Sequence, residues 1–266
     1  MRESFLDILR KLSNEKPSRR PAWKQLRGAL WLAHAIDKSG LSAEAFATRY
    51  VHRDRSRSNL VTKWLAGSTV PNRVSAIQLE KLLPGTLEIF DMPYCLLVDG
   101  PLSLRAVRTL ISRYRLPEDM GFSWRFPDSD GLLTYTFLPD ETHGLLERAD
   151  LWGMFGILAL VREAEARGND GQHVGLCKDL YRALIPLVKI PWIAPSIPLF
   201  KECFDAIRNR CYFSSCMFDV DWPALEAGRP DVILDAQIVP GIKIQEREVK
   251  KQERAVKRRR SKQSPE

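Results

Sequence analysis

Cysteine is scarce and unpaired in this sequence. The 266 residues contain Cys95, Cys177, Cys203, Cys211 and Cys216, an odd set spread over half the chain. That pattern excludes a disulfide scaffold, and the paired short spacing of a zinc knuckle is missing. Long apolar runs are also lacking. The longest, Leu151 to Val161, has 11 residues and includes two glycines, about half of the ~20 needed to cross a bilayer, so a buried helix is expected there. Met1 to Asp7 carries charges in place of the apolar stretch of a secretory signal. The expectation is an intracellular protein with free thiols: cytoplasmic and nucleoid-associated, or nuclear in a eukaryote. There is no glycine-rich phosphate loop, HExxH, nucleophile elbow or fixed-period repeat. An enzyme is therefore not expected, and neither is a cofactor or a metal.

What is present is a globular composition, 44% hydrophobic and 28% charged, which excludes wholesale disorder. Its charge is segregated. Residues 1–86 hold 16 Lys and Arg against 7 Asp and Glu; residues 87–240 hold 15 against 22; residues 241–266 hold 10 against 4. A basic front and tail flanking an acidic middle point to a polyanionic partner, most often nucleic acid.

The apolar spacing gives the organisation. Residues 4–14 have helical periodicity, and Trp23, Leu26, Leu30, Ala33 and Ile36 mark an amphipathic helix over 22–39 closed by Gly40. Ser42 caps a short helix, a basic link runs from His52 to Arg57, and Ser58 to Ala66 form another short helix stopped by Gly67. Pro71-Asn72 starts the next, with Val74, Ile77, Leu79 and Leu82 as its apolar positions. Farther on, helices are expected over 102–114, 145–167, 174–185 and 199–211. Between the first two, alternating Phe122, Trp124, Phe126 and Leu133, Tyr135, Phe137 predict a hairpin with an aromatic face. Asp231 to Val239 reads as a last strand, and the tail from Lys243 as solvated helix or unstructured chain. The fold class is thus mainly α with a small β component (α+β). Its parts are an N-terminal helix and linker (1–20), a helical bundle (21–86), an acidic α+β domain (87–240) and a basic tail (241–266).

The run Leu41-Ser-Ala-Glu-Ala-Phe-Ala47, Ser58-Asn-Leu-Val-Thr-Lys-Trp-Leu-Ala-Gly67 and Val70-Pro-Asn-Arg73 resembles the repressor-type (Cro/C1-like) helix-turn-helix family over residues 22–86. On that resemblance Ala47 is the small residue at the helix crossing, Trp64 the aromatic ending the recognition helix, Gly67 the stop and Pro71 the next helix start. The 17 residues from Ala47 to Trp64 make a longer, basic turn than the family's usual one. The resemblance implies a sequence-specific regulator of double-stranded DNA, of prophage, plasmid or defence-system type, acting as a homodimer. Arg57, Ser58, Asn59, Thr62 and Lys63 would read bases, since Arg or Lys suits guanine and Asn suits adenine. Arg49, Arg53, Arg55 and Arg73 would grip phosphates and carry no sequence information. The acidic middle domain is the expected dimerisation or protein-partner surface. The alternatives are a component of a larger complex that binds nucleic acid without sequence choice and, ranked below it, an enzyme with an unrecognised site in 87–240.

Three weaker constellations remain. Cys203 and Cys211 share a helical face with Ile207, but eight residues of helix span ~12 Å, beyond the ~7 Å limit for a disulfide, so they read as core thiols. His173 and Cys177 stand at i, i+4, the spacing of a thiolate–imidazole pair, with no third group placed by the sequence. Asp140-Glu-Thr-His143 reads as a helix cap before it reads as a metal site.

Overall fold

The computed structural model describes residues 22–51, 60–65, 69, 71–92, 94–113, 124–127, 133–135 and 141–235. The expected helix over 4–14 and the basic tail lie outside these residues. The architecture is mainly helical with two small antiparallel sheets.

The first helix, α1 (Ala22–Ser39), is the pillar of the basic front. Leu26, Leu30, Trp31, Leu32 and Ala35 are buried along it, a wider apolar surface than a helix lying on one side of a core needs. Gly40, at φ 65°, ends it as a left-handed C′ residue. Ser42 then accepts a hydrogen bond from the Ala45 amide (3.2 Å) and starts α2 (Ala43–Phe46), which continues as a π-helical turn over Ala47–Val51. After the link come α3 (Leu60–Leu65) and α4 (Arg73–Glu80). Asn72 caps α4 by accepting from the Ser75 amide at 2.8 Å.

Two short helices that the sequence pattern did not suggest follow: α5 (Thr86–Asp91) and α6 (Tyr94–Leu97). Glu80 organises the start of α5. Its carboxylate accepts from the Gly85 and Leu87 amides at 2.6 Å and from the Thr86 hydroxyl at 3.1 Å. Burial acts to raise the Glu80 carboxyl, but these donors outweigh it and hold it below its ordinary value.

In the acidic middle, α7 (Leu104–Arg113) precedes the hairpin of β1 (Trp124–Pro127) and β2 (Leu133–Tyr135). The turn between them, and Phe122 and Phe137, lie outside the described residues. The helix expected over 145–167 is two helices, α8 (Glu141–Glu147) and α9 (Leu151–Arg167). The break falls at Ala149, with φ 52°, and Asp150 caps the new start on the Gly153 amide at 2.7 Å. Gly153 is required there, because a Cβ would meet the Leu145 carbonyl oxygen at 2.2 Å. Helices α10 (Asp170–Arg182), α11 (Leu184–Leu187), α12 (Ile197–Arg208), α13 (Tyr212–Met217) and α14 (Trp222–Glu226) complete the layer. The second sheet pairs β3 (Phe218–Val220) with β4 (Ile233–Asp235). The expected last strand is thus three residues long within the described chain, and its partner strand was not foreseen.

The core crosses residues 86/87 without a break. Its buried cluster runs from Ala22 to Val232, α1 packs on α12, and the His34 ring lies 4.8 Å from that of Trp192. At the centre of the middle region, Tyr181 donates to Asp205 at 2.7 Å and meets Phe204, Phe218 and Trp222 edge-on. Burial and the adjacent Asp205 carboxylate raise the Tyr181 hydroxyl above its ordinary pKa.

Candidate nucleic-acid interface

The site is built on α1. Trp31 is buried and receives the Trp64 ring edge-on at 5.9 Å and the Phe90 ring at 5.5 Å. Such aromatic pairs add about 0.5–1.5 kcal/mol beyond burial. With Trp64, Val61 and Leu65 also buried, α3 is tied to α1 along one face, and Thr62 and Lys63 are left exposed on the other. The periodicity of α3 and its N-terminal apolar residue Leu60, half-buried, therefore fix which side chains face solvent. The Thr69 amide donates to the Lys63 carbonyl at 3.2 Å and closes the end of α3.

Pro71 is buried against α1. A Cβ at Gly28 would lie 2.9 Å from its Cδ, so the approach of this turn to α1 requires glycine at 28. Ala47 is buried next to Phe46, whose ring packs on Tyr50 at 5.1 Å. The π-helical turn touches both α2 and α3. Arg49 is exposed on that turn, its guanidinium 5.5 Å from the Tyr50 ring centre. The structure thus brings Ala47, Arg49, Thr62, Lys63, Trp64 and Pro71 together in one unit around α1.

Arg73 is exposed at the start of α4, but Asp91 engages it at 2.8 Å. The same carboxylate lies 3.8 Å from Arg27, which stacks on Phe90 and donates to the Phe90 carbonyl at 3.0 Å. A phosphate at Arg73 would therefore compete with an internal carboxylate. Arg53, Arg55, Arg57, Ser58, Asn59 and Gly67 lie outside the described residues. Helix α4 also differs from its expected orientation. Ala76 and Leu79 enter the core, whereas Val74, Ile77 and Leu82 are exposed. Apolar spacing marks a helix, but it does not say which of two apolar strips finds a neighbour.

The remaining candidates resolve into packing. His173 and Cys177 do lie together, with Sγ 3.6 Å from Nδ1, and the third group is Ser214, whose Oγ is 2.6 Å from the same nitrogen. All three are sealed from solvent. Burial first, then the Arg162 guanidinium, lowers the His173 pKa to about 4, and burial pushes the Cys177 thiol up to about 12. A neutral thiol beside a neutral imidazole is no nucleophile at neutral pH. Ser214 lies 41 residues from His173, so no local spacing could have announced it. Cys203 is buried as expected, but helix α12 ends at Arg208. Cys211 therefore leaves the shared face with Ile207 and stands before α13, 3.5 Å from Asp170. His143 pairs with Glu147 on the exposed face of α8, and Asp140, the expected cap, lies outside the described residues. Among the described residues no group of His, Cys, Asp and Glu could hold a metal ion, and no helix is long and apolar enough to cross a membrane.

No family model, curated protein or solved structure matches the chain.

Proposed function

We propose that residues 43–80 bind double-stranded DNA with sequence preference, and that the chain is a transcriptional regulator of prophage, plasmid or defence-system type working in the nucleoid or, in a eukaryote, the nucleus. The observation that supports this most is the two-sided build of α3. Val61, Trp64 and Leu65 anchor it to the core, and Thr62 and Lys63 are exposed on its other face, on a helix packed against the turn that carries exposed Arg49. A short helix with donor side chains exposed on a fixed scaffold is what base readout in a major groove demands. The region's excess of 16 basic over 7 acidic residues across 1–86 supplies the electrostatic attraction. Six residues of helix read only a few base pairs, so a symmetric dimer on paired half-sites is part of the proposal.

Selection of tight-binding duplexes from fragmented genomic DNA, followed by titration against random competitor at two salt concentrations, tests this. A regulator retains a specific-over-nonspecific ratio of about 10³ or more. Binding that falls uniformly with salt for every duplex, with no selected sequence, would instead identify a nucleic-acid-binding scaffold.

A further inference from the structure

Helix α13 carries an uncharged apolar face that the rest of the described chain does not cover. Tyr212 is 66% exposed, Phe213 50% and Met217 52%, and Cys216 is exposed between them. On a helix, 212 neighbours 216 and 213 neighbours 217, so the four form one patch. The helix is held from behind by buried Ser214, which bonds His173 on α10, and within it the Ser215 hydroxyl donates to the Tyr212 carbonyl at 2.7 Å. Strand β3 follows directly on Met217, and its partner strand exposes Leu234 opposite Asp219.

We propose that this face is the contact between two copies of the chain. Two features select a second copy as the occupant. The first is self-complementarity. Laid antiparallel about a two-fold axis, the six-residue helix sets Tyr212 against Met217 of the other copy and Phe213 against its Cys216. These are favourable aromatic–sulfur pairings. No exposed position of 212–217 is charged, so two-fold symmetry brings no like charges together. The second is area. With ~150–250 Å² for a whole aromatic side chain, the three large residues leave roughly 350 Å² in water, approaching half of the ~800 Å² each partner gives to a standard interface. Flanking polar residues such as exposed Ser215 supply a rim. Tyr, Phe and Met are also the residues enriched at such surfaces.

The other exposed apolar strip, Val74, Ile77 and Leu82, pairs badly with itself. Antiparallel pairing of α4 would set Lys81 over Val74 and beside Arg73 of the other copy. That strip also belongs to the segment proposed to face DNA. The dimer surface deepens the proposed function by supplying its symmetric dimer, and its test needs no nucleic acid, so failure of the dimer and failure of DNA binding are told apart.

Sedimentation of the full chain between about 1 and 100 µM is expected to show a species of about twice the 30.4 kDa chain mass. Phe213→Asp and Met217→Asp should each remain monomeric throughout, with unchanged far-UV circular dichroism because both side chains are exposed. Val74→Asp should dimerise as the native chain does. A native chain that stays monomeric to the highest concentration overturns the proposal. So do two Asp variants on α13 that still dimerise, or a Val74→Asp variant that dissociates.

Discussion

The basic front and the acidic middle are held together differently. In the middle, α9 and α10 are joined to their surroundings by ion pairs and buried hydrogen bonds as well as by apolar packing. Arg162 is fully buried, paired with Glu165 and hydrogen-bonded to the Gly100 carbonyl; Glu165 in turn accepts from Arg210 at 2.8 Å; Glu163 joins Arg108 and Arg167. In the front, α3 is short and rests on α1 through Trp31 and Trp64, the Gly28–Pro71 contact seats the turn before α4 on the same helix, and α4 packs on α5. The contrast separates a rigid frame from a small surface mounted on it, the one proposed to meet DNA. Because α1 also packs on α12, disturbing the mount should be felt in the frame.

Trp31→Ala is the strongest way to break the contrast. Removing a buried tryptophan costs about 3–5 kcal/mol, and with a shared core both regions should melt together, at lower temperature, by near-UV and far-UV dichroism. If the signal from 141–235 kept its native melting point, the front would be a separate folding unit.

Acid should act on the frame next. His173 has an ordinary pKa of 6.5 that the fold lowers to about 4. Its contribution is therefore intact above pH 6.5 and is lost as pH falls toward 4, because in that window only the unfolded chain takes up the proton. The slope is about 1.4 kcal/mol per pH unit, read from urea midpoints between pH 7 and 4. His173→Gln should flatten it, while Asp170, Arg162 and the Ser214 hydroxyl around the ring remain in place.

A smaller loss is expected at the mount. Gly28→Ala pushes a methyl into Pro71 and should cost about 1–3 kcal/mol, with weakened DNA binding as α3 shifts. The smallest effect belongs to Asp91→Asn. Arg73 is 66% exposed, so the pair is worth under about 1 kcal/mol. Releasing Arg73 should instead appear as tighter, more salt-sensitive association with any duplex.

Local chemistry made much of the front legible from sequence: Gly40 as a left-handed stop, the Ser42 cap, Pro71-Asn72 at the start of α4, and the inward positions of α3. Each depends on residues within a few positions of one another. What stayed hidden depends on distant partners. Val74 and Ile77 have the spacing of a core face but stay exposed. Helix α5 follows a Pro-Gly pair that reads as a stop, and its start is held by the Glu80 carboxylate. Strand β3 is three residues long, too short for alternation to register, whereas β4 falls within the strand expected over 231–239. For the candidate interface, residue types and outward positions were readable, whereas the Asp91 carboxylate on Arg73 was not.

Base reading by α3 is separated from phosphate contact by anisotropy titration of Thr62→Ala/Lys63→Ala beside Arg49→Ala, using a selected duplex and a scrambled one at two salt concentrations. The double variant should lose about 10–100-fold in specific affinity with little change on scrambled DNA, while Arg49→Ala weakens both alike and flattens the salt slope. A double variant that discriminates as well as the native chain would contradict base reading by α3.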